Sequence, residues 1–360
     1  MYKTLTAQTI HYFSRPHERV LRTPLDVPAA WKGRDVAARQ DWREVLGPKD
    51  IGELERAIAF ARKTGKATRE LERDDFPLAR MASRIARWRR ILMAGRGFVV
   101  VRGVPVERWD PDDTELFYWC FGLHMGRPGA QNPRGDLLGH VIDTGQSPDE
   151  VRHYQTRVHI QYHCDAADIV GLLCLSRAAR GGLSRIVSSV SVYNELLGRR
   201  PDLVDRLYEP FMMDTKGEGG VAYLPVRPCA FADGQLRTFY HADYFRSAQV
   251  HAGAPPLTAD ERTLLDLYDE VANSPELYLD LALEPGDIEL LSNHTQLHAR
   301  TAYEDPEPPA PKRHLLRLWI SIPSRIPLST RLRRERSRLE VLGVAARYKL
   351  ENALRRRAGS

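Results

Sequence analysis

His163, Cys164 and Asp165 stand together in this chain, and His298, Arg313 and Arg317 follow much further along. Two imidazoles and one carboxylate can hold one face of an Fe(II) ion, leaving the opposite positions open for a co-substrate and O2. In a strand, positions i and i+2 share a face, so His163 and Asp165 point one way while Cys164 faces the other layer. That spacing lets both reach one metal at about 2.0–2.2 Å, the range for such groups on zinc. An arginine beyond the last ligand is what a carboxylate-bearing organic molecule needs for anchoring. By itself an H-x-D is a weak signal, because the two residues can simply be a hydrogen-bonded pair near the surface.

The third ligand has to come from a remote strand that closes the same barrel. His298 follows the run Ile288-Glu289-Leu290-Leu291, which itself follows a Pro285-Gly286 turn. His294, four residues earlier, is a rival ligand, and the same H-x3-H spacing recurs at His159 and His163. On a helix such pairs bind zinc in metalloproteases, which place a glutamate directly after the first histidine. Here Ile160 and Thr295 occupy those positions, which excludes that chemistry.

The elements that must position these residues can be read from periodicity. Ile51, Leu54, Ala57, Ile58 and Ala61 recur at helical steps behind Asp50, an expected N-cap. A helix is expected over 77–94, a buried strand over 98–103, and a helix over 111–123 with Asp110 as cap and Pro111 first. Strand signals then dominate, at 158–163, 169–175, 184–192, 223–226, 236–240, 288–291 and 314–322. Helices are expected over 192–208 and 257–273, the second capped by Thr258. Many short strands with helices in front and one inserted suit a mainly β chain with flanking helices (α+β), built on a jelly roll. The divisions read from the sequence are a helical extension over 1–75, a core domain over 76–330 and a basic helical tail over 331–360.

Composition narrows the class further. With 42% hydrophobic and 28% charged residues the chain has the balance of a soluble globular protein. No apolar run approaches the roughly 18 to 20 residues needed to cross a bilayer. The first fifteen residues have no apolar segment of the kind a secretory signal needs. Cys120, Cys164, Cys174 and Cys229 are scattered without C-x-x-C spacing, so the expected compartment is a reducing cytoplasm. Of the net +6, the last thirty residues alone carry +7 (ten Lys/Arg against three acids), which leaves −1 for residues 1–330. A basic excess confined to one tail argues against a nucleic-acid groove. It leaves a solvated helix or a contact surface as readings of the tail, and homo-oligomerisation stays open.

Four segments carry a family resemblance. They are Tyr162-His163-Cys164-Asp165-Ala166-Ala167-Asp168, Gly181-Gly182-Leu183-Ser184-Arg185-Ile186-Val187-Ser188, the run from Leu297-His298-Ala299-Arg300 to Asp305, and Arg313-His314-Leu315-Leu316-Arg317-Leu318-Trp319-Ile320. In order and type they resemble the taurine dioxygenase (TauD/TfdA-like) superfamily, over about residues 98–322. The resemblance implies a double-stranded β-helix and an oxygenase using Fe(II), 2-oxoglutarate and O2. Such an enzyme oxidises a C–H bond of a small molecule while releasing succinate and CO2.

Carried over residue by residue, the resemblance makes His163, Asp165 and His298 the iron ligands. Ser184 takes the place of a threonine that hydrogen-bonds the distal carboxylate of 2-oxoglutarate, and it keeps the hydroxyl. Arg313, as first arginine of the last core strand, matches the residue that clamps that carboxylate. Arg317, four residues on and on the same face, is then nearer the substrate, and the reverse assignment is the alternative. Surface salt bridges with Glu304, Asp305 or Glu307 are the simpler reading of either arginine, and Arg300 has Asp305 as a structural partner. Because Asp165 is a carboxylate, hydroxylation, desaturation, ring closure or oxidative cleavage is implied and halogenation is not. His159, Tyr162, Tyr240, Tyr244, Phe245 and Arg317 are candidate substrate contacts by position. A second cation beside the metal favours a small carboxylate or amino-acid-like substrate. Competing readings are a non-catalytic jelly-roll metabolite-binding protein and a nucleic-acid-directed oxygenase.

Overall fold

Phe98-Val99-Val100-Val101 has no polar side, and it forms a strand buried on both faces, between a layer of helices and a second sheet. The structure is a computed structural model that describes residues 2–147, 151–217, 221–323 and 335–339, with positions 342, 343, 346 and 350 beyond them. The larger sheet runs in the order β1 (Arg43–Val45), β2 (Phe98–Arg102), β14 (Ile288–Ser292), β6 (Ile169–Ser176), β17 (His314–Ser321) and β3 (Arg127–Gly129), with β4 (Gly139–Ile142) also on β17. Only the β1–β2 pair in it is parallel. The smaller sheet is antiparallel, in the order β13 (Tyr278–Leu281), β8 (Ser184–Ser188), β15 (Gln296–Arg300) and β5 (Ile160–His163). Three two-stranded ribbons pair β7 (Arg180–Gly181) with β16 (Tyr303–Glu304), β9 (Phe211–Asp214) with β10 (Tyr223–Val226), and β11 (Cys229–Ala232) with β12 (Gln235–Thr238). Two facing sheets of this kind are the expected jelly-roll core.

Alternation along the strands divides the interior. Phe98, Val100, Val170, Leu172, Leu291 and Leu315 of the larger sheet meet Ile186, Leu279 and Leu281 of the smaller one in the inter-sheet space. On the outer face of the larger sheet, Val99, Val101, Leu173, Leu290, Leu316 and Leu318 pack under α3 (Pro48–Lys63), α4 (Met81–Ala94) and α5 (Pro111–Met125). The outer face of the smaller sheet, with Tyr162, Cys164, Val187 and Leu297, is covered by α6 (Ser189–Arg199) and α8 (Ala259–Ala272). Burying each such aliphatic side chain stabilises by about 1.5–3 kcal/mol, so Val99→Asp would break the helix-facing layer.

Residues ahead of position 76 are part of this packing. β1 extends the larger sheet, and Trp31, Val36 and Trp42 join the inter-sheet cluster around α2 (Gly33–Ala37). Tyr12 of α1 (Leu5–Phe13) is buried in the cluster beneath the smaller sheet. Of the expected basic tail, residues 335–339 are helical and Ser337 Oγ donates to Arg15 O at 3.0 Å; most of its arginines lie outside the described residues.

Several boundaries differ from expectation for tertiary reasons. α3 begins at Pro48 after Gly47, and Asp50 sits a turn inside it. The Asp50 carboxylate accepts from Gly47 N at 2.9 Å and from Arg80 Nε at 2.8 Å, so it caps the helix and ties α3 to α4. α4 starts at Met81, not 77, because the buried Glu53 carboxylate takes the backbone N–H groups of Arg80 and Met81. The strand expected over 184–192 stops at Ser188, whose hydroxyl accepts from Ser191 N and opens α6. α6 ends at Arg199, ahead of Pro201, where the sequence pattern suggested one helix to 208. α8 has the expected Thr258 cap, completed by Glu261.

Candidate metal centre

β15 and β5 lie side by side and antiparallel, with His298 directly opposite His163. Opposed residues on neighbouring strands bring their Cβ atoms within about 5 Å, so the two imidazoles face each other. Their ring centroids are 4.1 Å apart. One donor atom each from His163, Asp165 and His298 lies within 4.8 Å of the other two. The triad thus unites residues from both ends of the core, as the i and i+2 spacing and the later strand require.

The protonation state suits a metal. His163 Nδ1 is 2.9 Å from Gln161 O and must donate to it, which leaves Nε2 as the free lone pair. His298 Nε2 points towards Asp165 Oδ2 at 3.8 Å. Burial pushes the His298 imidazole down to about 3, with the neighbouring His163 adding to the effect, and burial also lowers His163. Burial would raise the Asp165 carboxyl, but Arg317, His298 and His163 outweigh it and bring it down to about 2. Two neutral imidazoles and an ionised carboxylate are the donor set that a divalent iron takes on one face.

A second ring of contacts fixes the turn that carries Asp165. Asn293 Oδ1 accepts from Asp165 N at 3.1 Å, and Asn293 O accepts from Tyr12 Oη at 2.8 Å. Gln8 Nε2 donates to Ala166 O at 3.2 Å. Asp168 receives His11 Nε2 at 2.7 Å, His294 Nε2 at 2.8 Å and Ile322 N at 2.7 Å. Burial opposes its charge, yet the hydrogen bonds from His11 and His294 hold this carboxyl far below the usual range. His294, the rival ligand, is therefore committed to Asp168 and stacks on Tyr12 with centroids 5.0 Å apart.

The two arginines of β17 and its approach have different surroundings. Arg317 Nη1 is 3.5 Å from Asp165 Oδ2, its Nε donates to Gln131 Oε1 at 2.7 Å, and its guanidinium lies over the Tyr154 and Trp319 rings. Arg313 lies further from the triad, over Tyr303, with Nη2 donating to Gly182 O at 3.3 Å. Only a glycine fits at 182: its φ is +67°, and a Cβ there would meet Arg313 Nε at 2.8 Å. Neither arginine makes the surface salt bridge that was the simpler reading; Asp305 instead accepts from the Arg313 backbone N at 2.8 Å. Arg300 gives Nη2 to Thr156 O at 2.8 Å and not to Asp305.

Around Arg313 several buried polar atoms have no protein partner: Arg313 Nη1, Arg300 Nε and Nη1, Tyr303 Oη and Glu289 Oε2. Such groups cost free energy unless a polar ligand meets them. Ser184 is in the same pocket and donates to Glu289 Oε1 at 2.9 Å. A cationic, donor-rich cluster in the same barrel as a triad that could hold a metal fits a metal-chelating acid with a second carboxylate.

The other candidate residues separate. His241 and Tyr244 stack at 3.6 Å, and His241 lies 5.2 Å from His163, so Tyr244 is one ring removed from the triad. Tyr162 is directed to the opposite face with Cys164, and Tyr240 donates to Asp269 Oδ1 at 2.7 Å inside the helix-covered core. Strand alternation and the pull of that apolar layer exclude both from the metal side, and Phe245 belongs to the same layer. His159 precedes β5 and is exposed. The sequence reading missed His241, Gln131, Tyr154 and Glu289. Only the last had a visible signal, an acid inside the otherwise apolar run Ile288-Glu289-Leu290-Leu291.

Comparison with known proteins shows the family and the fold. The family model described as "Taurine catabolism dioxygenase TauD, TfdA family" matches residues 62–319. FR-33289 synthase of Streptomyces rubellomurinus is 31% identical over 311 residues, covering 84% of this chain and 92% of that protein. Taurine hydroxylase-like protein SAT17 of Stachybotrys chartarum is 26% identical over 307 residues, covering 80% and 77%. Among solved structures, asparagine oxygenase in complex with Fe(II), 2S,3S-3-hydroxyasparagine and succinate has a similar fold, with a TM-score of 0.63 at 17% identity over 78% of this chain and 93% of that one.

Proposed function

The chain belongs to the TauD, TfdA family of dioxygenases, and from that premise we propose that it couples Fe(II), 2-oxoglutarate and O2 to oxidation of a C–H bond in a small anionic or zwitterionic, amino-acid-like metabolite. The observation that carries this is the convergence of His163, Asp165 and His298 beside the guanidinium of Arg317. Hydroxyasparagine in the similar oxygenase and the taurine named for the family and for one relative support the substrate class.

In this reading His163, Asp165 and His298 hold the metal. Arg313 and Ser184 hold the distal carboxylate of the co-substrate, and Arg317 anchors the acidic group of the substrate. The order of the arginines is supported by Arg317 standing at the metal ligands while Arg313 stands among unpartnered polar atoms. Iron and 2-oxoglutarate, when bound, supply activation of O2 and removal of electrons from the substrate, with succinate and CO2 as co-products. The chain supplies the rest. Hydrogen bonding to Gln161 O fixes the tautomer of His163, and Arg317 keeps Asp165 ionised and oriented. Tyr154 and Trp319 wall the guanidinium, raising its attraction for an anion by keeping water away. Gln131 fixes its direction. Among the described residues no helix is long and apolar enough to cross a membrane.

The test is succinate formation and O2 uptake by the iron-loaded protein across a panel of amino acids, sulfonates and other small acids. One substrate class should stimulate both together, and His163→Ala should lower succinate formation at least about 100-fold. A panel without stimulation, or a His163→Ala protein as active as wild type, would refute the proposal.

A further inference from the structure

Glu289 of β14 meets Ser184 of β8 across the inter-sheet space. It is wholly buried, on the β14 face that Leu291 and the register partners of Glu289, Val100 and Leu172, fill with apolar atoms. One carboxyl oxygen accepts from Ser184 Oγ at 2.9 Å, and the other has no partner. The guanidinium of Arg313 acts on it electrostatically and itself has an unpartnered Nη1. A carboxyl of this chain therefore shares its pocket with the serine and arginine read above as the grip on a ligand carboxylate.

Two ionised carboxylates in one water-poor recess repel, whereas a carboxylic acid beside a carboxylate gives it an O–H hydrogen bond. Resting on the reading of Ser184 and Arg313 given above, we propose that Glu289 is a third binding residue for the distal carboxylate of 2-oxoglutarate, meeting it as a neutral O–H donor, so that binding above neutrality takes up one proton onto the Glu289 carboxylate. Ser184 then turns its one hydroxyl proton from Glu289 Oε1 to the ligand, so that three donors act on the distal carboxylate: the guanidinium, the serine hydroxyl and the acid proton of Glu289.

The protonation this requires is within reach. Burial raises the Glu289 carboxyl to about 7, against the opposing pull of Ser184 and Arg313. The other groups facing this region change little around neutral pH. Burial pushes the Cys174 thiol of β6 up to about 12 and holds the Tyr118 phenol of α5, across the sheet, well above its usual value. Tyr303 is likewise raised by burial, and although burial lowers Arg313 and Arg300, Arg300 only to about 10, both remain cations at neutral pH. Asp287, two residues back on β14, is paired with Arg102 at 2.7 Å.

Calorimetric titration of the Mn(II)-loaded protein with 2-oxoglutarate, from about pH 6 to 8.5, tests this without turnover. The wild-type Kd should be flat below about pH 7 and rise about tenfold per pH unit above it. Protonation of the ligand imidazoles would weaken binding at the opposite, acidic end. Repeating the titration in buffers of different ionisation heat should give an uptake approaching one proton, measured on the unaltered chain and so independent of how any variant folds. Glu289→Gln, which keeps a donor and cannot titrate, should bind with a flat profile and no uptake. Tight binding by the wild type with a flat profile overturns this inference alone, as does an unchanged slope in Glu289→Gln. A wild-type protein that binds no 2-oxoglutarate at any pH overturns it together with the co-substrate reading.

Discussion

Asp165 and Glu289 are both buried carboxyls in the same barrel, one at each end of the proposed site, yet their surroundings drive them apart. Burial raises both. At Asp165 a guanidinium 3.5 Å away and two imidazoles reverse that effect, leaving an ionised group at about 2. At Glu289 one hydroxyl and the pull of Arg313 fall short, leaving a group poised at about 7. Desolvation sets a penalty of one sign everywhere in the interior, and the placement of cations decides whether it is overcome. In the proposed reading the Asp165 end takes a metal cation. The Glu289 end, with unpartnered donors and a carboxyl that can be neutral, takes an organic anion.

The support of the Asp165 end can be broken most severely at Asp168. Asp168→Ala would strand the buried His294 imidazole, the half-buried His11 imidazole and the Ile322 N–H and release α1 from the turn carrying Asp165. A loss of about 3–5 kcal/mol is expected, seen as a melting point lower by roughly 4–7 °C, with metal affinity weakened about 10- to 100-fold. A variant that melts like wild type would mean that this network does not hold the metal end.

Swapping the arginines sharpens the division between the ends. Arg313→Leu should raise the Kd of 2-oxoglutarate about 100-fold, as loss of one partner of a buried charge pair does, while metal binding persists. Arg317→Leu should leave that Kd within a few-fold and raise the substrate KM instead. The reverse pattern would exchange their roles.

The smallest effect concerns stability and follows from the two signs. A depressed carboxyl such as Asp165 adds stability that is present above its unfolded value of about 4 and lost as pH falls through about 2. A raised one such as Glu289 adds stability that is present below about 4.5 and lost as pH rises through about 7. Glu289→Gln should therefore be more stable than wild type by about 1–3 kcal/mol at pH 8.5 and nearly equal at pH 5, measured by urea unfolding. Equal stability at both values would mean that Glu289 is ionised throughout.

Much of this site could be read along the chain because its signals are local. Two-residue alternation is enough to turn His163 and Asp165 the same way and Cys164 the other, and the buried runs at 98–102, 169–176 and 314–321 announce their strands by apolar composition. A remote strand for the third ligand is expected, but no periodicity marks its bounds, since Gln296-Leu297-His298-Ala299-Arg300 has polar residues that are buried only because both neighbouring strands supply partners. Tyr162 and Tyr240 were read as pocket residues from their nearness in sequence to the motif, but alternation and the helix layer take them elsewhere.

Residue types and short spacings by themselves therefore determined the shared face of His163 and Asp165 and the mainly β architecture, and the order of four motifs carried the resemblance that implies the oxygen chemistry. Packing alone decided which remote groups meet: His298 against His163, His11 against Asp168 across 157 positions, and Ser184 against Glu289 across 105. The physical reason is that a side chain's chemistry is inscribed in its own atoms, whereas its charge state and partners depend on the solvent it loses and the neighbours it gains, and those come from distant parts of the chain.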